Sequence, residues 1–263
     1  MSDAVAHLLG DIIARTRARH PDRPALIGLS GAQGSGKSTV CRAVEAASGG
    51  RIAYFSLDDV YRTRAERERM ALKRPLLLTR GPPGSHDLAL VAHTIAMLSE
   101  RVRDPHTLLP RFDKARDDRA PRTKWPLFMG NPDAVLIDGW CLGALPIENG
   151  PPLNALEARE DEDGVWRKTM LGALAGPYQD FFASFDQIVY LQAPSFDIVR
   201  RWRGEQEEKM LGRALTEAEG AALDRFIQHY ERITRAMLAG GHGACWIVRL
   251  DENRRVLRIE QRD

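Results

Sequence analysis

Eight consecutive residues, Gly31, Ala32, Gln33, Gly34, Ser35, Gly36, Lys37 and Ser38, fit the pattern Gly-x-x-x-x-Gly-Lys-[Ser/Thr]. Glycines at this spacing let backbone N–H groups turn toward one point, where they cradle anionic phosphates. Lys37 is then placed to reach the β- and γ-phosphates of a nucleotide, and the Ser38 hydroxyl to ligate Mg²⁺. The expected nucleotide contacts are Gly31, Gln33, Gly34, Ser35, Gly36, Lys37, Ser38 and Thr39. A Gly-rich turn without a ligand is the plainer reading. The flanks argue against it, because Ala25 to Ser30 reads as a buried strand and Ser38 to Ala47 as a helix. Strand, loop and helix is the setting this motif needs, and a helix N-terminus itself attracts anions.

Carboxylates follow two other apolar runs. In Ser56-Leu57-Asp58-Asp59-Val60-Tyr61, two adjacent acids would lie near a γ-phosphate. One would take the proton of an attacking hydroxyl and the other would bind Mg²⁺, directly or through water. Neighbouring side chains of an extended segment point to opposite sides, so the two should not share a task. An Asp-Asp cap opening a helix is the competing reading. Asp138, in Asp138-Gly139-Trp140, supplies the acidic half of a nucleotide site. Ser38, Asp138 and one of the adjacent acids are therefore the candidate metal ligands, Asp59 taking that place if Asp58 is the base. Basic residues complete the set. The helical stretch Phe196 to Leu211 carries Arg200, Arg201 and Arg203. Arg201 or Arg203 would close over the phosphates and steady transition-state charge, Arg203 being assigned the catalytic place. A salt-bridged surface helix is the alternative. Arg80-Gly81-Pro82-Pro83-Gly84-Ser85-His86-Asp87 reads as a turn with Asp87 as the cap of the next helix. Arg80 and His86 are candidate contacts to an anionic substrate, although a lone histidine is more often structural.

These residues need a scaffold that brings them together. Apolar runs at Ala25 to Ser30, Ile52 to Ser56, Ala134 to Ile137, Gln187 to Leu191 and Cys245 to Leu250 read as strands covered on both faces. Helical patterns lie at Leu88 to Val102, Trp166 to Phe185, Phe196 to Leu211 and Thr216 to Leu238, the last opened by a Thr216–Glu219 capping box. The expected fold is α/β: a doubly wound, mainly five-stranded parallel sheet, which gathers ligands at the carboxyl ends of its strands. Residues 57–133 separate the second and third strands, far more than one crossover helix requires. This stretch is rich in proline and charge, as a disordered linker would be. It also carries the apolar anchors Leu108, Leu109, Phe112, Trp125, Leu127 and Phe128, so an ordered loop for a second substrate is preferred. The reading is one domain over 1–263, with 57–133 as a helical and loop insertion for substrate and 195–212 as a lid-like helix.

Composition sets limits on partners. The net charge of +2 gives no strong electrostatic case for nucleic acid or a membrane as partner. Met1 to His20 reads as an amphipathic helix rather than a signal peptide, and no apolar run approaches membrane-spanning length. Cys41, Cys141 and Cys245 lack metal-ligand spacing and suit a reducing compartment, so the expectation is a cytoplasmic protein, monomer or weak homodimer, acting on a small molecule.

The phosphate loop, Ser-Leu-Asp-Asp-Val-Tyr (56–61), Arg-Gly-Pro-Pro-Gly-Ser-His-Asp (80–87), Pro-Arg-Phe-Asp-Lys (110–114) and Asp-Gly-Trp (138–140) occur in this order. Together they resemble the plant- and yeast-type D-glycerate 3-kinases and their bacterial relatives. That family lies within the P-loop kinases that include uridine kinase, phosphoribulokinase and bacterial pantothenate kinase. The likeness covers roughly 25–250, and its discriminating segments are 80–87 and 110–114. It implies an ATP- and Mg²⁺-dependent phosphotransferase acting on a hydroxyl of a small acid, D-glycerate above all. By position, Asp58 matches the acid proposed as base in the uridine kinase-like group. Asp58, Tyr61, Arg80, His86, Asp113 and Lys114 are the implied acceptor contacts, and Lys37, Asp58 and Arg203 the implied catalytic set. The chain departs from the eukaryotic pattern at Phe112, where tyrosine is expected, and at Ala115 to Pro121, where a glycine-rich stretch is expected. Asp138-Gly139 stands where relatives often have Glu-Gly. Two other readings remain open: the same chemistry on a nucleoside or pantothenate-like acceptor, and an ATP-hydrolysing switch or assembly factor.

Overall fold

Runs such as Leu26-Ile27 and Val135-Leu136-Ile137 are apolar on both faces of a strand, so layers on both sides must cover them. The computed structural model describes residues 2–100 and 105–262 and shows how they are covered. Its strands are β1 (Ala25–Gly31), β2 (Ile52–Ser56), β3 (His106–Leu108), β4 (Phe112–Asp113), β5 (Asp118–Arg119), β6 (Leu127–Met129), β7 (Ala134–Gly139), β8 (Gln187–Gln192), β9 (Trp246–Leu250) and β10 (Val256–Gln261). Its helices are α1 (Ser2–Arg19), α2 (Lys37–Ala47), α3 (Arg64–Ala71), α4 (Leu88–Ser99), α5 (Ala155–Glu160), α6 (Val165–Ala175), α7 (Pro177–Ala183), α8 (Phe196–Leu211) and α9 (Glu217–Leu238).

The main sheet has the order β10-β9-β8-β1-β7-β2. All of its pairings are parallel except that of β10 with β9. Alternate residues of one strand feed opposite cores. Val135 and Ile137 of β7 join the cluster that holds Val91, Met170, Tyr178 and Tyr230. Ala134 and Leu136 join the one that holds Leu9, Val40, Val44, Val199 and Trp202. Burying a large apolar side chain contributes roughly 1.5–3 kcal/mol, so this two-sided coverage fixes the register. In that register Asp138 of β7 lies opposite Leu29 of β1 and Ser56 of β2, at the carboxyl edge of the sheet.

The five expected parallel strands are present, and β10 joins them as a sixth, antiparallel strand at the edge. Val256–Gln261 is largely exposed and interrupts its apolar residues with Arg258 and Glu260, so it lacks the apolar run that marks a covered strand. Two expectations need correction. The helix expected over Trp166 to Phe185 breaks at Gly176-Pro177 into α6 and α7, because proline cannot continue the preceding hydrogen-bond ladder. The helix expected over Leu88 to Val102 stops at Ser99, with Glu100 extended, and positions 101 and 102 lie outside the described residues. Thr216 does cap α9 through the expected box with Glu219.

Residues 57–133 contain α3, α4 and two antiparallel pairs, β3 with β6 and β4 with β5. Of the expected anchors, Leu109, Phe112 and Phe128 are buried, whereas Leu127 is exposed. Among the described residues no helix is long and apolar enough to cross a membrane.

Candidate active site

The phosphate loop leaves β1 and enters α2 through two left-handed glycines, Gly34 (φ 75°) and Gly36 (φ 93°). Only glycine adopts such angles without strain. At Gly34 the demand is double, since a Cβ there would lie 2.8 Å from the backbone of Trp202. Gly36 caps α2 without a side-chain bond, which leaves the first-turn N–H groups for an anion. Lys37 is buried and donates to the Ala32 carbonyl at 2.9 Å. Burial pulls its ammonium below the ordinary value, against the opposing charges of Asp138 and Asp58. Asp138 accepts from the Ser38 hydroxyl at 2.7 Å and from the Tyr54 hydroxyl at 3.1 Å. The expected pair, Ser38 and Asp138, is thus assembled, with Tyr54 as an unforeseen third member.

After β2 the chain makes a tight turn, Leu57–Val60, closed by a capping box between Ser56 and Asp59. This turn separates the adjacent aspartates. Asp58 faces the cavity, accepting from the Tyr61 hydroxyl at 2.6 Å and Lys114 Nζ at 2.9 Å. Burial opposes its ionisation, yet Lys114 and Tyr61 outweigh that effect and hold the carboxyl well below the usual range. Asp59 points the other way. It is buried and receives the N–H groups of Ser56 (3.1 Å) and Phe112 (3.3 Å) and the Arg111 guanidinium (3.2 Å). The metal role expected for Asp59 therefore meets a carboxylate already committed elsewhere and absent from the cavity wall.

The cavity has a volume of about 540 Å³. The phosphate loop and Asp138 form one side, Asp58, Tyr61, Arg80 and Lys114 a second, and Arg203, Lys209, Phe226, Tyr230 and Arg254 a third. Seven cationic side chains line it against three carboxylates, which makes it a site for anions. Gln33, Gly34, Gly36, Lys37, Ser38 and Thr39 reach the wall, whereas Gly31 and Ser35 shape the loop from behind. Gln33 Nε2 and Arg203 Nε are buried without a partner, as donors awaiting a ligand would be. These donors and the uncapped helix end fit a nucleotide's phosphates. Among the described residues no group of three or more His, Cys, Asp or Glu could hold a metal. Ser38 and Asp138 would therefore hold Mg²⁺ only with phosphate and water completing its shell.

Arg80 is fixed at several points. Its carbonyl accepts from the Tyr230 hydroxyl at 2.9 Å, and the Gly81 carbonyl from Trp140 Nε1 at 2.9 Å. Its guanidinium pairs with Asp117 and lies 5.6 Å from the Phe112 ring centroid. Arg203 pairs with Glu207 and packs over Phe226. Two expected contacts are not brought to the wall. His86 is buried beneath Tyr61, stacked at 4.7 Å, with Nδ1 2.5 Å from the Tyr178 hydroxyl. Burial pushes its pKa down to about 3, so it is neutral. Asp113 accepts the N–H groups of Ala115 and Arg116 and shapes a turn. Arg201 pairs with Glu252 and Glu205 and does not itself reach the cavity wall. Arg254 was not foreseen. It donates to the Gly34 carbonyl at 2.7 Å and to Glu205 at 2.7 Å, and lies 4.9 Å from the Trp202 ring centroid. It follows the last parallel strand, where the rule of reading residues just past each strand would have found it.

No family model matches the chain. It is 29% identical over 227 residues to a protein of Schizosaccharomyces pombe described as uncharacterized kinase mug58, covering 79% of each chain. It is 28% identical over 232 residues to the chloroplastic D-glycerate 3-kinase of Arabidopsis thaliana, covering 82% of this chain and 48% of that protein. The chain thus spans about half the length of the plant relative. Its fold is similar to that of D-glycerate 3-kinase from Cryptococcus neoformans, with a TM-score of 0.72, 23% identity, and coverage of 98% of this chain and 99% of that one. The architecture is that of the P-loop kinases, and the sequence resemblance to D-glycerate 3-kinases stands.

Proposed function

We propose that the chain is an ATP-dependent kinase that phosphorylates a hydroxyl of a small hydroxy acid, D-glycerate. One observation carries the reading. The ionised Asp58, held between Lys114 and Tyr61, shares one cation-lined cavity with the phosphate loop and the Ser38–Asp138 pair.

The N–H groups of the loop, Gln33 and Lys37 would hold ATP, and Ser38 with Asp138 would hold Mg²⁺. Bound together, these supply the transferable phosphoryl group and the charge that neutralises it. The protein's own work is positioning and electrostatics. Asp58 would accept the hydrogen bond of the acceptor hydroxyl, aim its lone pair, and receive the proton as the new P–O bond forms and the bond between the γ-phosphorus and the ADP leaving group breaks. A carboxylate kept well below its usual pKa range orients more than it abstracts, which suffices for a loose transition state. Tyr61 and Lys114 hold Asp58 ionised. Arg80, gripped on both sides, offers a fork to the acceptor carboxylate. Arg203 and Lys209 face the cavity from α8 and would steady charge on the transferred group. The cysteines, unpaired and mostly buried, favour a reducing, cytoplasmic setting.

The test is ADP release by the purified chain with MgATP and, in turn, D-glycerate, uridine, pantothenate or no acceptor. Stimulation by D-glycerate above all others is expected. Equal ADP release without acceptor, or preference for uridine, would overturn the reading.

A further inference from the structure

Arg67 is wholly buried, yet it lies off the cavity wall. Its guanidinium donates to the carbonyls of Leu78 at 2.7 Å and Arg62 at 3.3 Å. It also donates to Asp117, to the carbonyl at 2.5 Å and to Oδ2 at 3.1 Å. A buried guanidinium is costly unless its donors are met, and here one residue of the turn between β4 and β5 meets much of that need. Asp117 sits at φ 51°, an angle that aspartate tolerates better than most side chains. Its other oxygen, Oδ1, accepts from Arg80. Arg80 is on the cavity wall, and Asp117 is not. The same turn carries Lys114 to Asp58.

We propose that Asp117 is a positioning residue for the acceptor: anchored by Arg67, it aims the Arg80 guanidinium into the cavity. The inference rests on the reading that Arg80 grips the acceptor carboxylate. One carboxylate serves two guanidinium groups, so Arg80 is held without being neutralised. A guanidinium carries five N–H donors, and the bond to Asp117 leaves donors for a second carboxylate. Holding the fork in place before binding removes the cost of ordering a long side chain at that moment. The buried Arg67 is thus the root of a chain of charges that ends at the substrate.

The test is steady-state kinetics of wild type, Asp117→Gly, Asp117→Asn, Arg80→Ala and the Arg80→Ala/Asp117→Gly double variant. Glycine suits φ 51° best, so Asp117→Gly keeps the turn and removes only the carboxylate. Its KM for D-glycerate should rise about tenfold, while its KM for MgATP and its kcat stay within about twofold. Asp117→Asn, which keeps one acceptor oxygen, should fall between it and wild type. On the Arg80→Ala background, Asp117→Gly should add less than about twofold, because its route of action is already gone. Wild-type kinetics in Asp117→Gly, parallel rises in both KM values, or penalties that multiply in the double variant would each overturn the proposal. If Asp117→Gly does not fold, Asp117→Asn carries the test, with a rise of about threefold and the same non-additivity expected. Wild-type turnover of glycerol as fast as D-glycerate would sink the Arg80 reading and this inference together. Preference for the acid with multiplying penalties would sink this inference alone.

Discussion

Asp58 presents its carboxylate to the cavity between Lys114 and Tyr61, while Asp59 turns inward to Ser56, Arg111 and Phe112. Their substitution should therefore separate chemistry from stability. Asp58→Asn should lower kcat by about 10² or more and leave MgATP affinity largely intact, because it removes the group that orients the acceptor. Asp59→Asn should keep kcat within about threefold and lower the unfolding free energy by about 1–3 kcal/mol, the scale of a weakened charged hydrogen bond. Kinetics and urea unfolding of both proteins check this, and the reverse pattern would exchange the roles. The sequence allowed the inference that the two acids face opposite ways. It did not reveal which one faces the phosphates, because that depends on a capping box and on Arg111 and Phe112, which lie more than fifty positions away.

At the scale of elements, the site is held by contacts between segments far apart in the chain. Arg254, just beyond β9, ties the Gly34 carbonyl of the phosphate loop to Trp202 and Glu205 of α8. Arg254→Ala should loosen α8 from the loop and raise the KM for MgATP about fivefold or more, the effect of losing roughly 1–2 kcal/mol of hydrogen bonding and cation–π contact. The KM for D-glycerate should hold steady, and movement of the glycerate constant alone would refute this clasp. The parallel strands were legible because each is a short apolar run that must be covered on both faces. Strand β10 was not, since an exposed edge strand needs no such run. The α6–α7 break was written in Gly176-Pro177 but hidden by apolar periodicity that continues across it. Arg254 belongs to no motif; its place just past the last parallel strand marks it as a candidate, and the folded turn shows what it reaches.

Across the whole molecule, apolar cores on both faces of the sheet bury polar groups along with the aliphatic ones. His86 is one, and its pKa is pushed down to about 3 from an ordinary 6.5. The unfolded chain takes up this proton near 6.5, whereas the folded chain resists it until about 3. Stability from this group is therefore complete above 6.5 and lost as pH falls through the interval between the two values. Between pH 7 and 5 the loss from this group should be about 2 kcal/mol, following the linkage slope of about 1.4 kcal/mol per pH unit. Urea unfolding at the two pH values should show a smaller difference for His86→Gln than for wild type, and equal differences would contradict the assignment. The same fold concentrates seven cations around the phosphate loop and Asp58 at the carboxyl edge of the sheet, and the central claim is that this cavity moves a phosphoryl group onto a small hydroxy acid. Phosphorus NMR of the purified chain with MgATP and D-glycerate tests it most directly. A phosphomonoester of glycerate should appear in one-to-one proportion with ADP, whereas ADP with inorganic phosphate and no glycerate ester would contradict it.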